Sequence, residues 1–120
     1  MKPKINGTEF GTITIESEKY NHDIIIRLNG KIEKRKKKLS KNIFGTSHVI
    51  SIAEAKHIYE KGVDKLIVGT GQYGQVELSE EAGEYFAKKK CEVKLIPTPK
   101  AIKVWNDTKG TVIGLFHVTC

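Results

Sequence analysis

The sequence is short of the groups that staple, anchor or metallate a chain. Its two cysteines, Cys91 and Cys120, stand far apart with no C-x-x-C spacing, which excludes a cysteine metal clip and makes free thiols the expectation in a reducing compartment. The four histidines, His22, His48, His57 and His117, include no H-x-x-x-H pair, so no metal is expected. No apolar run approaches the ~18–20 residues that span a bilayer, and no leader-like segment is evident. A cytoplasmic protein without membrane attachment is expected, as a monomer or small homo-oligomer. Repeats, low-complexity tracts and linkers are missing too, so residues 1–120 are expected to form one domain, a length sufficient for a single core.

Acidic residues are also in deficit. The 14 Asp+Glu set against 21 Lys+Arg leave a formal charge of +7, which attracts polyanions at low salt without conferring specificity.

What is present reads as α/β. Residues 10–15 alternate apolar and polar side chains after the turn signal Asn6-Gly7, the pattern of a short strand. Residues 23–28 form a stronger strand running into Asn29-Gly30, the preferred type I′ pair, so residues 31–36 are expected to return as its antiparallel neighbour. Ser51 with Glu54 fits a capping box; Ile52, Ala55 and Tyr59 share a face and Gly62 supplies a stop, predicting a helix over 52–61. Strand 65–68 precedes a glycine-rich loop, and a helix capped by Ser79 carries Glu80 and Glu81 in its first turn and Lys88, Lys89 and Lys90 in its last. Strand 92–96 is stopped by Pro97. Thr98-Pro99 reads as N-cap and first turn of a helix whose buried face is Ala101, Ile102 and Trp105, and residues 111–118 form a last strand.

The strand–helix–strand unit over 65–96 must be a right-handed crossover with parallel strands. Its two following loops then share one rim of the sheet, where open α/β sheets collect ligands. Glycines there allow main-chain N–H groups to converge on an anion. The candidate binding set is Gly69, Thr70, Gly71, Gln72, Tyr73 and Gly74, with Thr98, Lys100 and Ala101 at the start of the next helix, whose free N–H groups attract anions.

Residues 69–74 also match G-x-G-x-x-G, but Gln75, Val76, Glu77 and Leu78 precede the helix and no ribose-binding acid ends the next strand. Gln75-Val76 stand where a phosphate-binding P-loop needs Lys and Ser or Thr. No cofactor is therefore expected, and a purely geometric use of glycine remains an alternative.

Lys31, Lys34, Arg35, Lys36, Lys37, Lys38 and Lys41 resemble a nucleic-acid handle, yet no aromatic interleaves them. A solvated hairpin edge, with weak and non-specific nucleic-acid binding, is the expectation. The candidate bases are His48, in a loop able to reach a pocket, and His117, which shares a strand face with Thr119 but not with Cys120.

Taken in order, Phe10-Gly11, Tyr20-Asn21-His22-Asp23, Gly45-Thr46-Ser47-His48, Gly69-Thr70-Gly71-Gln72, Pro97-Thr98-Pro99-Lys100-Ala101, Trp105-Asn106 and His117-Val118-Thr119-Cys120 resemble the Mth-type domain family. That family includes adipogenesis-associated domain proteins, small archaeal and bacterial proteins and a mitochondrial complex I assembly factor. The resemblance implies a compact three-layer α/β domain with a mixed central sheet, and characteristic positions at Gly69, Thr70, Gly71, Gln72, Thr98, Pro99, Lys100, Ala101 and Asn106. It supplies no catalytic mechanism. The functional readings are binding of an anionic or polar small ligand or a protein partner at the rim, assembly-factor-like in the second case. The alternatives are an enzyme with His48 as base, or a nucleic-acid binder through residues 31–41.

Overall fold

The computed structural model describes residues 2–120. In chain order the elements are β1 (Ile5–Glu9), β2 (Thr12–Ile15), β3 (Glu18–Tyr20), β4 (Ile24–Ile26), β5 (Ile32–Lys34), α1 (Lys38–Phe44), β6 (Val49–Ile50) and α2 (Ile52–Ile58). They continue with β7 (Lys65–Gly69), β8 (Glu77–Leu78), α3 (Glu80–Lys88), β9 (Glu92–Ile96), α4 (Thr98–Asp107) and β10 (Val112–Phe116).

Strands β4, β7 and β10 are almost wholly apolar, so a sheet built on them must be covered on both faces. The central sheet has the order β5-β4-β10-β7-β9. Strand β7 is parallel to β9 and β10, as the crossover requires, while β4 is antiparallel to β10 and to β5. Alternate residues feed two cores. Ile25, Leu66, Val68, Ile113 and Leu115 pack with Ala55 and Ile58 of α2 and Ala82 and Phe86 of α3. Ile24, Ile26, Ile67, Val112 and Phe116 pack with Ala101 and Trp105 of α4 and with Ile5, Ile13 and Ile15 from the antiparallel sheet β1-β2-β3. The result is a three-layer α/β domain with a mixed central sheet.

Trp105 is fully buried, its ring edge-on to Phe116 at 5.8 Å and its indole N–H donating to the Pro3 carbonyl at 2.9 Å. It is core, as the stripe with Ala101 requires. A Cβ on Gly114 would stand 3.0 Å from the Trp105 ring and 2.6 Å from Phe116, so glycine in this central strand is what admits the tryptophan.

Several local expectations are corrected. Asn6-Gly7 is no turn; both residues lie within β1, at a register irregularity, and the turn to β2 falls at Phe10-Gly11. The β4–β5 hairpin is not type I′, because Gly30 alone takes positive φ; the Asn29 side chain instead accepts from the Lys31 N–H. This is a longer loop with a left-handed glycine at its end. Helix α2 stops at Ile58, earlier than expected, because Tyr59 is extended. Pro97 rather than Thr98 is the N-cap of α4, which runs through Asn106 to Asp107.

The lysine-rich segment departs most. It is not a hairpin edge throughout: after β5 the chain turns into α1, and Arg35 is buried. Helix α1 has no side-chain cap and no acid in its first turn, which removes the usual start signals.

Candidate functional site at the strand-end rim

Strands β5, β10, β7 and β9 all end on one rim, and β4 begins there. The rim therefore gathers Arg35, Asp23, His117, Thr70 and Thr98 from five neighbouring strands. Four are joined in a continuous polar chain. The Arg35 guanidinium donates to Asp23 Oδ2 at 2.9 Å and, through Nε and Nη2, to both oxygens of Glu54 at 2.6 and 3.1 Å. Asp23 Oδ2 also meets His117 Nδ1 at 2.6 Å, and Asp23 Oδ1 accepts from the Val118 N–H at 2.9 Å. The His117 carbonyl accepts from Thr98 Oγ1 at 2.7 Å, and Thr98 Oγ1 accepts from the Gly71 N–H at 2.9 Å.

Asp23, Arg35, Glu54, Thr98 and His117 are all buried. Burial pushes the Asp23 carboxyl up, but the His117 hydrogen bond and charge, the Val118 N–H and Arg35 outweigh it and hold the group down at about 2. Burial likewise lowers Arg35, and the Glu54 and Asp23 carboxylates overcome it, raising its pKa above the ordinary arginine value. An ionised Asp23 can only accept, so His117 Nδ1 carries the proton between them, and Nε2 on the far side of the ring lies 3.1 Å from Thr119 Oγ1.

Glu54 explains a further departure from the sequence pattern. The Ser51 hydroxyl accepts from the Glu54 N–H, as in a capping box, but the Glu54 carboxylate does not return to Ser51. It turns to Arg35 and to the Ser40 hydroxyl, and the Ser51 N–H donates to Ser40 Oγ at 2.9 Å instead. Ser40 thus ties α1 to the start of α2 and completes the pairing of Glu54.

The glycine loop sits at the other half of the rim, beside Thr98 as the crossover predicts. It does not present an anion cradle. Its N–H groups are consumed within the protein: Thr70 donates to Ile96, Gln72 to Thr119, Gly74 to Gly71, and Tyr73 to the main-chain oxygen of Cys120. A Cβ on Gly71, which has φ +108°, would lie 2.2 Å from the Cys120 main-chain carbon. Gly69 is equally crowded, with Thr98 Oγ1 and Phe116 both within 3 Å of where a Cβ would lie. Gly71 serves close approach of the chain that follows β10, and Gly69 makes room for Phe116 and for Thr98 at the start of α4. Gln72 continues the same bridging, its Nε2 reaching Thr8 Oγ1 at 3.0 Å.

The remaining candidates separate. Thr98 and Ala101 are buried in the packing of α4, Lys100 is exposed and joins no ion pair among the described residues, and Tyr73 projects into solvent against Phe10. Asn106 is not at the rim. At the far end of α4 its side chain accepts from the Ile5 N–H and donates to the Ile5 carbonyl, both at 2.9 Å, clamping β1 to the helix. The two candidate histidines, by contrast, are brought together, with ring centroids 5.4 Å apart and edge to face. His117 carries the hydrogen-bonded relay. His48 packs on it with no side-chain hydrogen bond among the described residues, and the loop amides already donate within the protein. His57 is half-buried beside Arg27, and burial together with that cation lowers its pKa.

A cavity of about 560 Å³ opens over the Asp23 side of the rim, walled by His22, by residues 34–39 and by Val118 and Thr119. Its lysines are the run read from the sequence as a solvated edge. Lys37 Nζ approaches Asp23 Oδ2 to 3.6 Å. Asp23, Arg35, Glu54 and Thr119 were missed as site residues. Asp23 and Arg35 are neighbours of recognised motifs, but nothing in the local sequence says that this one arginine among lysines points inward. Burial also pushes the Cys91 thiol up to about 11, helped by Asp64, which leaves it unreactive. Among the described residues no cluster of three His, Cys, Asp or Glu is placed to hold a metal ion, and no helix is long and apolar enough to cross a membrane.

Comparison with known proteins agrees with this architecture. A family model described as a protein of unknown function (DUF498/DUF598) matches residues 5–111. The conserved hypothetical protein PH1505 of Pyrococcus horikoshii OT3 is 34% identical, with 98% of this chain and 99% of that one covered and a TM-score of 0.88. The protein MT938 is 28% identical over 99% of this chain and 100% of that one, with a TM-score of 0.83. A Mth938-like domain of Bordetella pertussis shares the fold at 15% identity, covering 97% of this chain and 85% of that one with a TM-score of 0.64. A chain with this rim, this three-layer packing and these relatives belongs to the DUF498/DUF598 family of proteins of unknown function.

Proposed function

We propose that the protein binds a small anionic ligand at the strand-end rim, in the cavity between α1 and the chain following β10 rather than in the glycine loop. The observation that carries this reading is the cavity itself, walled by Lys34, Lys36, Lys37 and Lys38 beside His22 and Thr119. Lysine stems supply apolar walls while their ammonium groups supply mobile positive charge. The buried Asp23–Arg35–Glu54 network fixes the floor, so a ligand meets a rigid base and adaptable sides.

A thermal-shift panel of phosphate, pyrophosphate, citrate and dicarboxylates tests the reading. At least one anion should raise Tm in a saturable way, and the Lys36→Ala/Lys37→Ala double variant should lose that rise while Lys100→Ala keeps it. No saturable shift with any anion, or an equal shift in the double variant, removes the proposal.

A second reading, a protein partner, is favoured by one observation. Phe10 and Tyr73 are 58% and 72% exposed and lie 6.1 Å apart at the glycine-loop end of the rim. Exposed aromatic pairs of this kind anchor protein interfaces.

A further inference from the structure

The cavity touches one hydroxyl that is also wired to a base. Asp23 Oδ2 lies 2.6 Å from His117 Nδ1, and His117 Nε2 lies 3.1 Å from Thr119 Oγ1. The carboxylate and the imidazole are buried, whereas Thr119 is half-exposed on the cavity wall. This is the order of a carboxylate orienting an imidazole that faces a hydroxyl nucleophile, a constellation recognised by geometry and not by sequence order. We infer that Asp23, His117 and Thr119 form an acyl-transfer relay, with Thr119 Oγ1 as nucleophile toward an activated ester of a small acid that enters through the cavity. The inference rests on the cavity reading only for the route of entry.

The chemistry closes without a cofactor. Thr119 Oγ1 bonds to the acyl carbon as its proton passes to His117 Nε2. The tetrahedral adduct then breaks its bond to the alcohol oxygen, which leaves with that proton. In the second half a water gives its proton to Nε2 as its oxygen attacks the acyl-threonine; the ester bond to Oγ1 breaks and the proton returns to Oγ1. Asp23 stays ionised throughout, holding Nδ1–H and stabilising the imidazolium.

Charge building on the carbonyl oxygen has two candidate partners. Lys37, on the same wall, brings its ammonium to 3.6 Å from Asp23 Oδ2. Among the described residues the Thr119 and Cys120 N–H groups donate to no protein acceptor, leaving two consecutive main-chain donors beside the hydroxyl.

The test uses the whole chain with 4-nitrophenyl acetate, reading nitrophenolate release and locating the acetyl group by tandem mass spectrometry. Acetylation at Thr119 is expected, abolished in Thr119→Val, retained in Thr119→Ser and lowered at least about tenfold in His117→Gln. His117→Gln disturbs a buried network and is read only if its circular dichroism is native. Thr119→Val replaces a half-exposed side chain of similar shape and keeps the test decisive if His117→Gln does not fold. Acetyl groups on lysines alone, or turnover unchanged in Thr119→Val, overturn the inference. An anion-dependent Tm rise without Thr119 acetylation removes the relay and leaves the binding reading standing, and Thr119 acetylation without any such rise does the reverse.

Discussion

The two halves of one rim use the same topology for opposite purposes. At the β7–β9 half, glycines draw the main chain of residues 69–75 onto the chain after β10 until its N–H groups are spent, and the space closes. At the β10–β4–β5 half, charged side chains replace main chain, and a buried carboxylate–guanidinium–carboxylate row leaves a cavity above it. A glycine-rich loop at a strand end is therefore not by itself a ligand cradle; whether its donors are free decides. The buried row is a less economical way to fill space than apolar packing, and it lies where the polar chemistry is accessible.

Breaking the charged half should have the largest effect. Arg35→Met leaves Asp23 and Glu54 facing each other without their shared cation, and unfolding in urea should show a loss of about 3–5 kcal/mol, the range for removing one partner of a buried ion pair. A loss below about 1 kcal/mol would mean that water or Lys37 already neutralises the row. On the closed half, Gly71→Ala should cost roughly 3 kcal/mol, since it adds positive-φ strain to a clash with the Cys120 main chain. Anion-induced shifts should be unchanged in that variant, because the loop holds no ligand in this account.

Acid should separate the halves next. Asp23 titrates in the folded protein at about 2, below its ordinary 3.8. Its contribution is therefore complete above about pH 5 and is lost as pH falls toward 2, amounting to roughly 2 kcal/mol. Acid unfolding followed by circular dichroism should show that slope in the wild type and a flattened one in Asp23→Asn. Smallest is the effect far from the rim: Asn106→Ala removes both hydrogen bonds to Ile5 and should cost about 1–2 kcal/mol, with no change in any rim property.

The contrast between the halves also tracks what could be read from sequence. The segment from β7 through α3 to β9 was legible because an apolar run, a serine cap with first-turn acids and a proline stop are all local signals. Trp105 was legible for the same reason, through its helical stripe with Ala101. The charged half was not. Its pairs span 12 residues from Asp23 to Arg35, 19 from Arg35 to Glu54 and 94 from Asp23 to His117, so no window holds both partners. Arg35 stands among lysines that stay outside, and Glu54 mimics a capping-box acid while serving a different partner. His117 was recognised as a candidate, with Thr119 on its face, but its orienting carboxylate lay almost the whole chain away. The loop glycines were read as letting main-chain N–H groups converge on an anion, with a purely geometric use as the alternative; that Gly71 instead meets the chain after β10 depended on a contact across 49 residues between Gly71 and Cys120.

The most direct test is a map of amide shifts as pyrophosphate is titrated into isotope-labelled protein at low ionic strength. If the open half is the site, saturable perturbations concentrate at His22, Lys36, Lys37, Leu39 and Thr119 and fade toward Lys100. Perturbations centred instead on Gly71, Gln72, Tyr73 and Gly74, with the lysine wall silent, would contradict the account.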